Sequence, residues 1–122
     1  KNNKYYFRGY VMGGIEIWKP IDNRYSVSNY GRVRNNETRK ILKPRKNSRG
    51  YFRVYLYLSE FKRDFFVHKL VANAFLGKRP KGYVINHLDG DKQNNCVWNL
   101  EYCTQSENMK HFFKFISKAQ KN

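Results

Sequence analysis

Val84-Ile85-Asn86-His87-Leu88-Asp89-Gly90-Asp91-Lys92-Gln93-Asn94-Asn95, continued by Asn99-Leu100-Glu101-Tyr102-Cys103-Thr104 and then Glu107-Asn108, reads as a hairpin that runs into a helix. A short apolar strand ends in Asn86-His87, Asp89-Gly90 is a strong turn signal, and a second strand leads on to the helix. Thr104-Gln105-Ser106-Glu107 is a capping box: the threonine hydroxyl accepts from the backbone N–H of Glu107, and the glutamate reaches back to the Thr104 N–H. Asn108 then falls in the first helical turn and His111 next to it on the same face. A strand-end histidine, an asparagine of the second arm and a first-turn asparagine converge on one small volume, the pattern of an active site.

Composition points the same way. With 25 Lys and Arg against 9 Asp and Glu, the formal net charge is +16 over 122 residues. Such a chain calls for a polyanionic partner. Its length suits one domain or two tightly joined subdomains. No apolar run approaches the ~20 residues that span a bilayer, and the start does not read as a signal peptide. The chain opens at Lys1 without methionine, which leaves room for a piece upstream. Cys96 and Cys103 are the only cysteines, without the C-x-x-C spacing of a zinc ribbon. No structural zinc is expected; the thiols read as reduced, with a single disulfide across the hairpin as the alternative.

Around the opening segment the residues resemble a family, the HNH nucleases with a ββα-metal active site. The likeness is to homing endonucleases of phages and introns, whose run has the form (D/N)-H-x-D-G-(N/D)-K-x-N-N, then N-L-x-(W/Y)-x-T, then an asparagine or histidine at the helix start. Upstream, Glu16-Ile17-Trp18-Lys19-Pro20-Ile21 and Tyr25-Ser26-Val27-Ser28-Asn29-Tyr30-Gly31-Arg32-Val33-Arg34 look like the modular element that commonly precedes this core. His68-Lys69-Leu70-Val71-Ala72-Asn73-Ala74-Phe75 resembles the linking helix. By position the resemblance makes His87 the general base, Asn99 the asparagine that orients it, Asn108 a metal ligand, and Asn86 the occupant of a place where relatives often carry an aspartate ligand.

The resemblance implies an α+β fold: a small N-terminal antiparallel sheet element that grips double-stranded DNA, followed by a ββα-metal (HNH) core that cuts it. The expected division is a tail over 1–14, the sheet-rich element over 15–64, and the linking helix with the nuclease core over 65–122. One site per chain makes nicking by a monomer the simplest outcome; a double-strand break requires a dimer or a second event. An intracellular, cytoplasmic protein encoded by a phage or mobile element is implied, with no membrane partner.

The chemistry is consistent with these residue types. Histidine has an ordinary pKa near ~6.5, so the neutral base is plentiful at physiological pH. One ring nitrogen accepts the proton of water, and the other donates to the amide oxygen of Asn99 or to a backbone carbonyl. Mg²⁺ or Mn²⁺ suits hard oxygen donors and binds through few protein ligands. With Asn86 in place of a carboxylate, three readings stand: the pattern tolerates asparagine, a carboxylate such as Asp89 contributes, or the substitution lowers activity. His111 reads equally as a phosphate contact and as a packing residue. His68 reads as structural, and Asp89 and Asp91 as turn formers.

For the rest of the chain, alternation and the Asn29-Tyr30-Gly31 turn give a hairpin over 25–34, followed by a loop over 35–40, a short strand over 41–44 and a basic turn over 45–50. The clearest strand covers 51–59, with Phe52, Val54, Leu56 and Leu58 facing a core and Tyr51, Arg53, Tyr55 and Tyr57 on the other face. A strand over 65–67 feeds a helix over 69–76, a basic linker covers 77–82, and the last helix runs from 105 towards 118. Arg32, Arg34, Arg45, Lys46, Arg49 and Arg53, with Tyr55, form the candidate DNA surface. The competing functions are a DNA-binding protein of the same fold that cleaves weakly or not at all, and a basic RNA-binding protein.

Overall fold

The computed structural model describes residues 14–110, together with the backbone of a short antiparallel pair, β1 (Tyr6–Phe7) and β2 (Tyr10–Val11). A first three-stranded antiparallel sheet contains β3 (Trp18–Pro20), β4 (Tyr25–Ser28) and β5 (Val33–Asn35) in that order. A second contains β6 (Arg45–Lys46), β7 (Phe52–Tyr57) and β8 (Lys62–Phe66). α1 (Val67–Phe75) follows β8 directly, and β9 (Tyr83–His87) then pairs antiparallel with β10 (Leu100–Thr104). The fold is α+β, as expected.

The hydrophobic pattern explains how these pieces meet. Val67, Val71 and Phe75 recur at helical spacing on α1, and Val54 and Leu56 alternate on β7, so each element presents one apolar face. Those faces join Tyr25, Val27 and Val33 of the first sheet and Val97 and Leu100 of the hairpin in a single buried cluster. Polar bonds reinforce the seam between the sheets: the Tyr57 N–H donates to the Tyr25 hydroxyl at 3.2 Å and Arg24 Nη1 donates to the Tyr57 carbonyl at 2.8 Å. The boundary expected between 64 and 65 therefore falls inside β8, and the core is continuous across it.

Several local expectations change. Arg45 and Lys46 are a strand, pairing with Arg53 and Phe52, so the basic turn shrinks to 47–50, where Asn47 Oδ1 accepts from the N–H groups of Arg49 and Tyr51. The short strand expected over 41–44 reduces to an isolated bridge between Arg34 and Ile41. α1 begins earlier than expected because β8 runs straight into it, with no capping side chain at Phe66. The alternation on β4 does not produce a wet face: Tyr25, Ser26, Val27 and Ser28 are all buried.

Candidate active site in the hairpin

β9 delivers Asn86 and His87 to the end of its arm, and β10 returns in a register that sets Leu100 opposite His87 and Glu101 opposite Asn86. Asp89 and Gly90 turn the chain, with Gly90 at a φ of 78° that glycine adopts without strain and its N–H on the His87 carbonyl at 2.9 Å. The Asp89 carboxylate is the hub of this loop. It accepts from the Asp91 N–H at 2.8 Å, Asn94 Nδ2 at 2.8 Å and Asn99 Nδ2 at 2.9 Å. Burial alone would raise its pKa, but these donors outweigh that and hold the carboxyl below its ordinary value. Asp89 is thus a turn former with both oxygens engaged in the loop.

Asn99 completes the same loop. Its Oδ1 accepts from the Asp89 N–H at 3.0 Å, and its Nδ2 also donates to the Asn94 carbonyl at 2.8 Å. The bond expected between Asn99 and the histidine ring goes instead to Asn95, whose Oδ1 lies 2.8 Å from His87 Nε2. Asn99 is committed to holding the two arms of the loop together, so it acts on His87 only through the loop. An amide oxygen can only accept, so Nε2 carries the ring proton and Nδ1 keeps the lone pair. Burial lowers the His87 pKa; the Asn95 bond works in the opposite direction and does not cancel it.

Asn95 is in turn braced by the N-terminal element. The Asn29-Tyr30-Gly31 turn packs directly on the loop: the Val97 N–H donates to the Asn29 carbonyl at 2.8 Å, and Tyr30 meets Trp98 edge to face at 5.1 Å. At Gly31 a Cβ would stand 2.8 Å from the Asn95 carbonyl oxygen. The Asn29-Tyr30-Gly31 turn is legible in the sequence, but neither its contact with Asn95 nor the bond from Asn95 to His87 is. Asn95 lies within the family-like run, but nothing in the run distinguishes it from the asparagines on either side.

Asn86 is buried, and its Nδ2 donates to Glu101 Oε2 across the hairpin at 3.1 Å. The capping box forms as expected, with reciprocal bonds of 2.9 and 3.2 Å between Thr104 and Glu107, and it starts the helix that carries the half-buried Asn108. His111 lies outside the described residues, as does the remainder of the helix expected towards 118. Cys96 and Cys103 are both free thiols, raised above the ordinary cysteine pKa chiefly by burial.

A second histidine stands beside the first. The His68 ring lies 5.3 Å from that of His87 and 5.0 Å from that of Tyr51, and its Nδ1 is buried without a hydrogen-bond partner. Burial, with the neighbouring His87 and Lys69 adding to it, lowers its pKa to about 3. Between that value and the ~6.5 of an unfolded histidine, only the unfolded chain takes up the proton, so stability is full above pH ~6.5 and falls as the pH drops towards 3. The unfolding free energy from urea titrations should therefore decline between pH 6.5 and 4, at a limiting slope of about 1.4 kcal/mol per pH unit for one histidine. His68→Gln should flatten the decline; an equally steep decline in that variant would assign the loss to other groups.

The candidate DNA surface divides. Arg32 makes a two-point bond to Glu16 at 2.8 and 2.6 Å, which lowers the Glu16 pKa and raises that of Arg32. Arg34 lies 4.2 Å over the Trp18 ring. On the second sheet Arg45 and Arg53 flank Asp64, Arg45 hydrogen-bonding it and Arg53 at 3.8 Å. Lys46 and Arg49 have no ion-pair partner among the described residues, and Tyr55 is exposed beside Tyr57.

Comparison with known proteins finds two family matches within the chain. The model of the HNH endonuclease family matches residues 65–110, and that of the NUMOD4 motif matches residues 16–57. The chain carries an HNH endonuclease domain preceded by a NUMOD4 motif. It is 45% identical over 103 residues to the uncharacterized HNH endonuclease L247 of Acanthamoeba polyphaga mimivirus, covering 79% of this chain and 26% of that one. It is 36% identical over 110 residues to the DNA endonuclease I-HmuI of Bacillus phage SP01, covering 84% of this chain and 63% of that one. The solved structure described as DNA binding and cleavage by the HNH homing endonuclease I-HmuI superposes with a TM-score of 0.74, over 86% of this chain and 64% of that one. The chain thus spans less than two thirds of the length of these relatives. HNH nucleases as a family use a divalent metal, and no helix among the described residues is long and apolar enough to cross a membrane.

Proposed function

We propose that this chain is the cutting part of a divalent-metal-dependent DNA endonuclease, with His87 as general base and a single Mg²⁺ or Mn²⁺ held near Asn86 and Asn108. The observation that carries the reading is the His87–Asn95 bond, which fixes a buried, neutral imidazole with its lone pair on Nδ1. Nδ1 removes a proton from water as the water oxygen bonds to phosphorus and the bond to the 3′ oxygen breaks, giving 5′ phosphate and 3′ hydroxyl ends. Burial keeps the base unprotonated below the usual histidine range, so the acid limb of the rate profile lies below pH ~6.5.

The donor set suits a hard cation. Asn86 turns its nitrogen to Glu101 and leaves Oδ1 without a hydrogen bond among the described residues, and Asn108 supplies a second amide oxygen at the helix start. A divalent ion held by these amide oxygens would polarise the phosphoryl oxygen and neutralise the leaving alkoxide. With so few protein ligands, the remaining positions would fall to DNA phosphates and water, as is usual for Mg²⁺.

The sheet-rich part, 15–64, holds the duplex and the part from 65 onward cuts it, with one site per chain making a nick. Lys46 and Arg49, without an ion-pair partner among the described residues and carried on β6 and the turn after it, are the leading phosphate contacts, with Arg45, Arg53, Arg32, Arg34 and Tyr55 around them. Neutralising Arg45, Lys46 and Arg49 together should weaken binding to any duplex and reduce the salt slope by roughly 0.9 per lost phosphate contact. A fluorescence-anisotropy titration at several salt concentrations measures it, and an unchanged slope would remove this strand and turn from the interface. Supercoiled plasmid incubated with the chain tests the reading as a whole: relaxed circles should form with Mg²⁺ or Mn²⁺ and not with EDTA. Cutting that persists in EDTA, or none with either ion, would refute it.

A further inference from the structure

The absence of a carboxylate at position 86 leaves a site of two neutral amides, which would hold a free divalent ion poorly. We infer that Glu101 supplies the missing negative charge across the hairpin, so that Asn86 and Glu101 together form a divided ligand position in which one gives the oxygen and the other the charge. The inference rests on the reading that a metal lies near Asn86 and Asn108.

Register carries the argument. Glu101 is the residue directly opposite Asn86, so in an antiparallel pair their side chains share one face of the hairpin. The bond between them has a fixed direction, because a carboxylate only accepts. Asn86 must therefore present Nδ2 to Glu101 Oε2, at 3.1 Å, and its Oδ1 is left for another partner. Asn86 is only 6% exposed, so the amide is held in that orientation.

The other nearby carboxylates are engaged elsewhere. Asp89 is bound by three donors of its own loop, Asp91 Oδ1 accepts from the Gln93 N–H at 2.9 Å, and Glu107 Oε1 accepts from the Thr104 N–H at 2.9 Å. Glu101 has Asn86 as its side-chain partner and no salt bridge among the described residues. A cross-strand pair that merely stiffened the hairpin would work equally well with glutamine at position 101. The inference requires the charge.

That difference gives the experiment. In a His87→Ala background, which keeps duplex DNA uncut, Mn²⁺ bound to the chain–duplex complex is read from the free-ion EPR signal, with the duplex alone as blank. Glu101→Gln keeps an acceptor for Asn86 and removes the charge; it should weaken Mn²⁺ binding by ~10- to 100-fold. Adding Asn86→Asp to Glu101→Gln returns a carboxylate to the hairpin and should restore most of that loss. Unchanged affinity in Glu101→Gln, or no recovery in the double variant, overturns the inference. Asn108→Ala separates this from the underlying reading: if it weakens Mn²⁺ binding while Glu101→Gln does not, only the role of Glu101 falls. If the parent complex holds no Mn²⁺ beyond the duplex blank, both fall.

Discussion

His87→Ala should reduce plasmid nicking by ~10² or more while leaving duplex affinity nearly unchanged. The ring is buried at the end of β9 with Nε2 fixed by Asn95, so its loss would remove the proposed proton acceptor without touching the basic sheet proposed to hold DNA. Asn95→Ala should give a smaller loss, because the base remains but its tautomer is no longer held. Single-turnover cutting and anisotropy binding on the same preparations separate the two quantities. A parallel fall in binding and cutting would make His87 a structural histidine.

Gly31→Ala should be the most damaging substitution far from the histidine in sequence. The residue has a φ of +84°, which costs an alanine about 1–2 kcal/mol. The new Cβ would also stand 2.8 Å from the Asn95 carbonyl oxygen and 2.9 Å from Asn95 Cβ. Backbone, rather than the end of a flexible side chain, must then give way, and a total loss of ~2–4 kcal/mol is expected. Because the displaced residue is the one that holds His87, cutting should fall even at temperatures where the variant is folded. Thermal denaturation alongside nicking at 20 °C below the midpoint would test this; wild-type turnover in a folded Gly31→Ala would show that Asn95 tolerates the shift.

What the sequence disclosed follows from how local each signal is. The Asp89-Gly90 turn, the Thr104–Glu107 box and the alternation of Phe52, Val54 and Leu56 are properties of a few adjacent residues, and each appears in the structure. The strand at Arg45–Lys46 has no such signal, because two consecutive cations carry no period and the pairing is decided by β7. The Asn86–Glu101 bond depends on the length and shape of the loop between them, which sets the register, so neither residue alone announces it. The same holds for Asn95 and Asn99. Four asparagines, at 86, 94, 95 and 99, crowd this hairpin, and only the folded loop decides which amide meets the ring and which ties the turn. The apolar neighbours of His68 in the sequence point to a structural residue, but its approach to His87 is a tertiary fact.

The shared apolar cluster bears on how such a chain can be recombined. Val27 and Val33 of the first sheet, Val54 and Leu56 of the second, Val71 of α1 and Val97 and Leu100 of the hairpin bury one another. A chimera joined between the two family-matched segments would inherit half of this cluster from each parent, with mismatched volumes where they meet, and would replace the turn against which Asn95 is braced. The packing unit is the whole span from the first sheet to the hairpin, so a chimera that keeps the core intact changes only outward residues, such as the exposed ones of β6, β7 and β8, where side chains can be exchanged without disturbing the packing beneath.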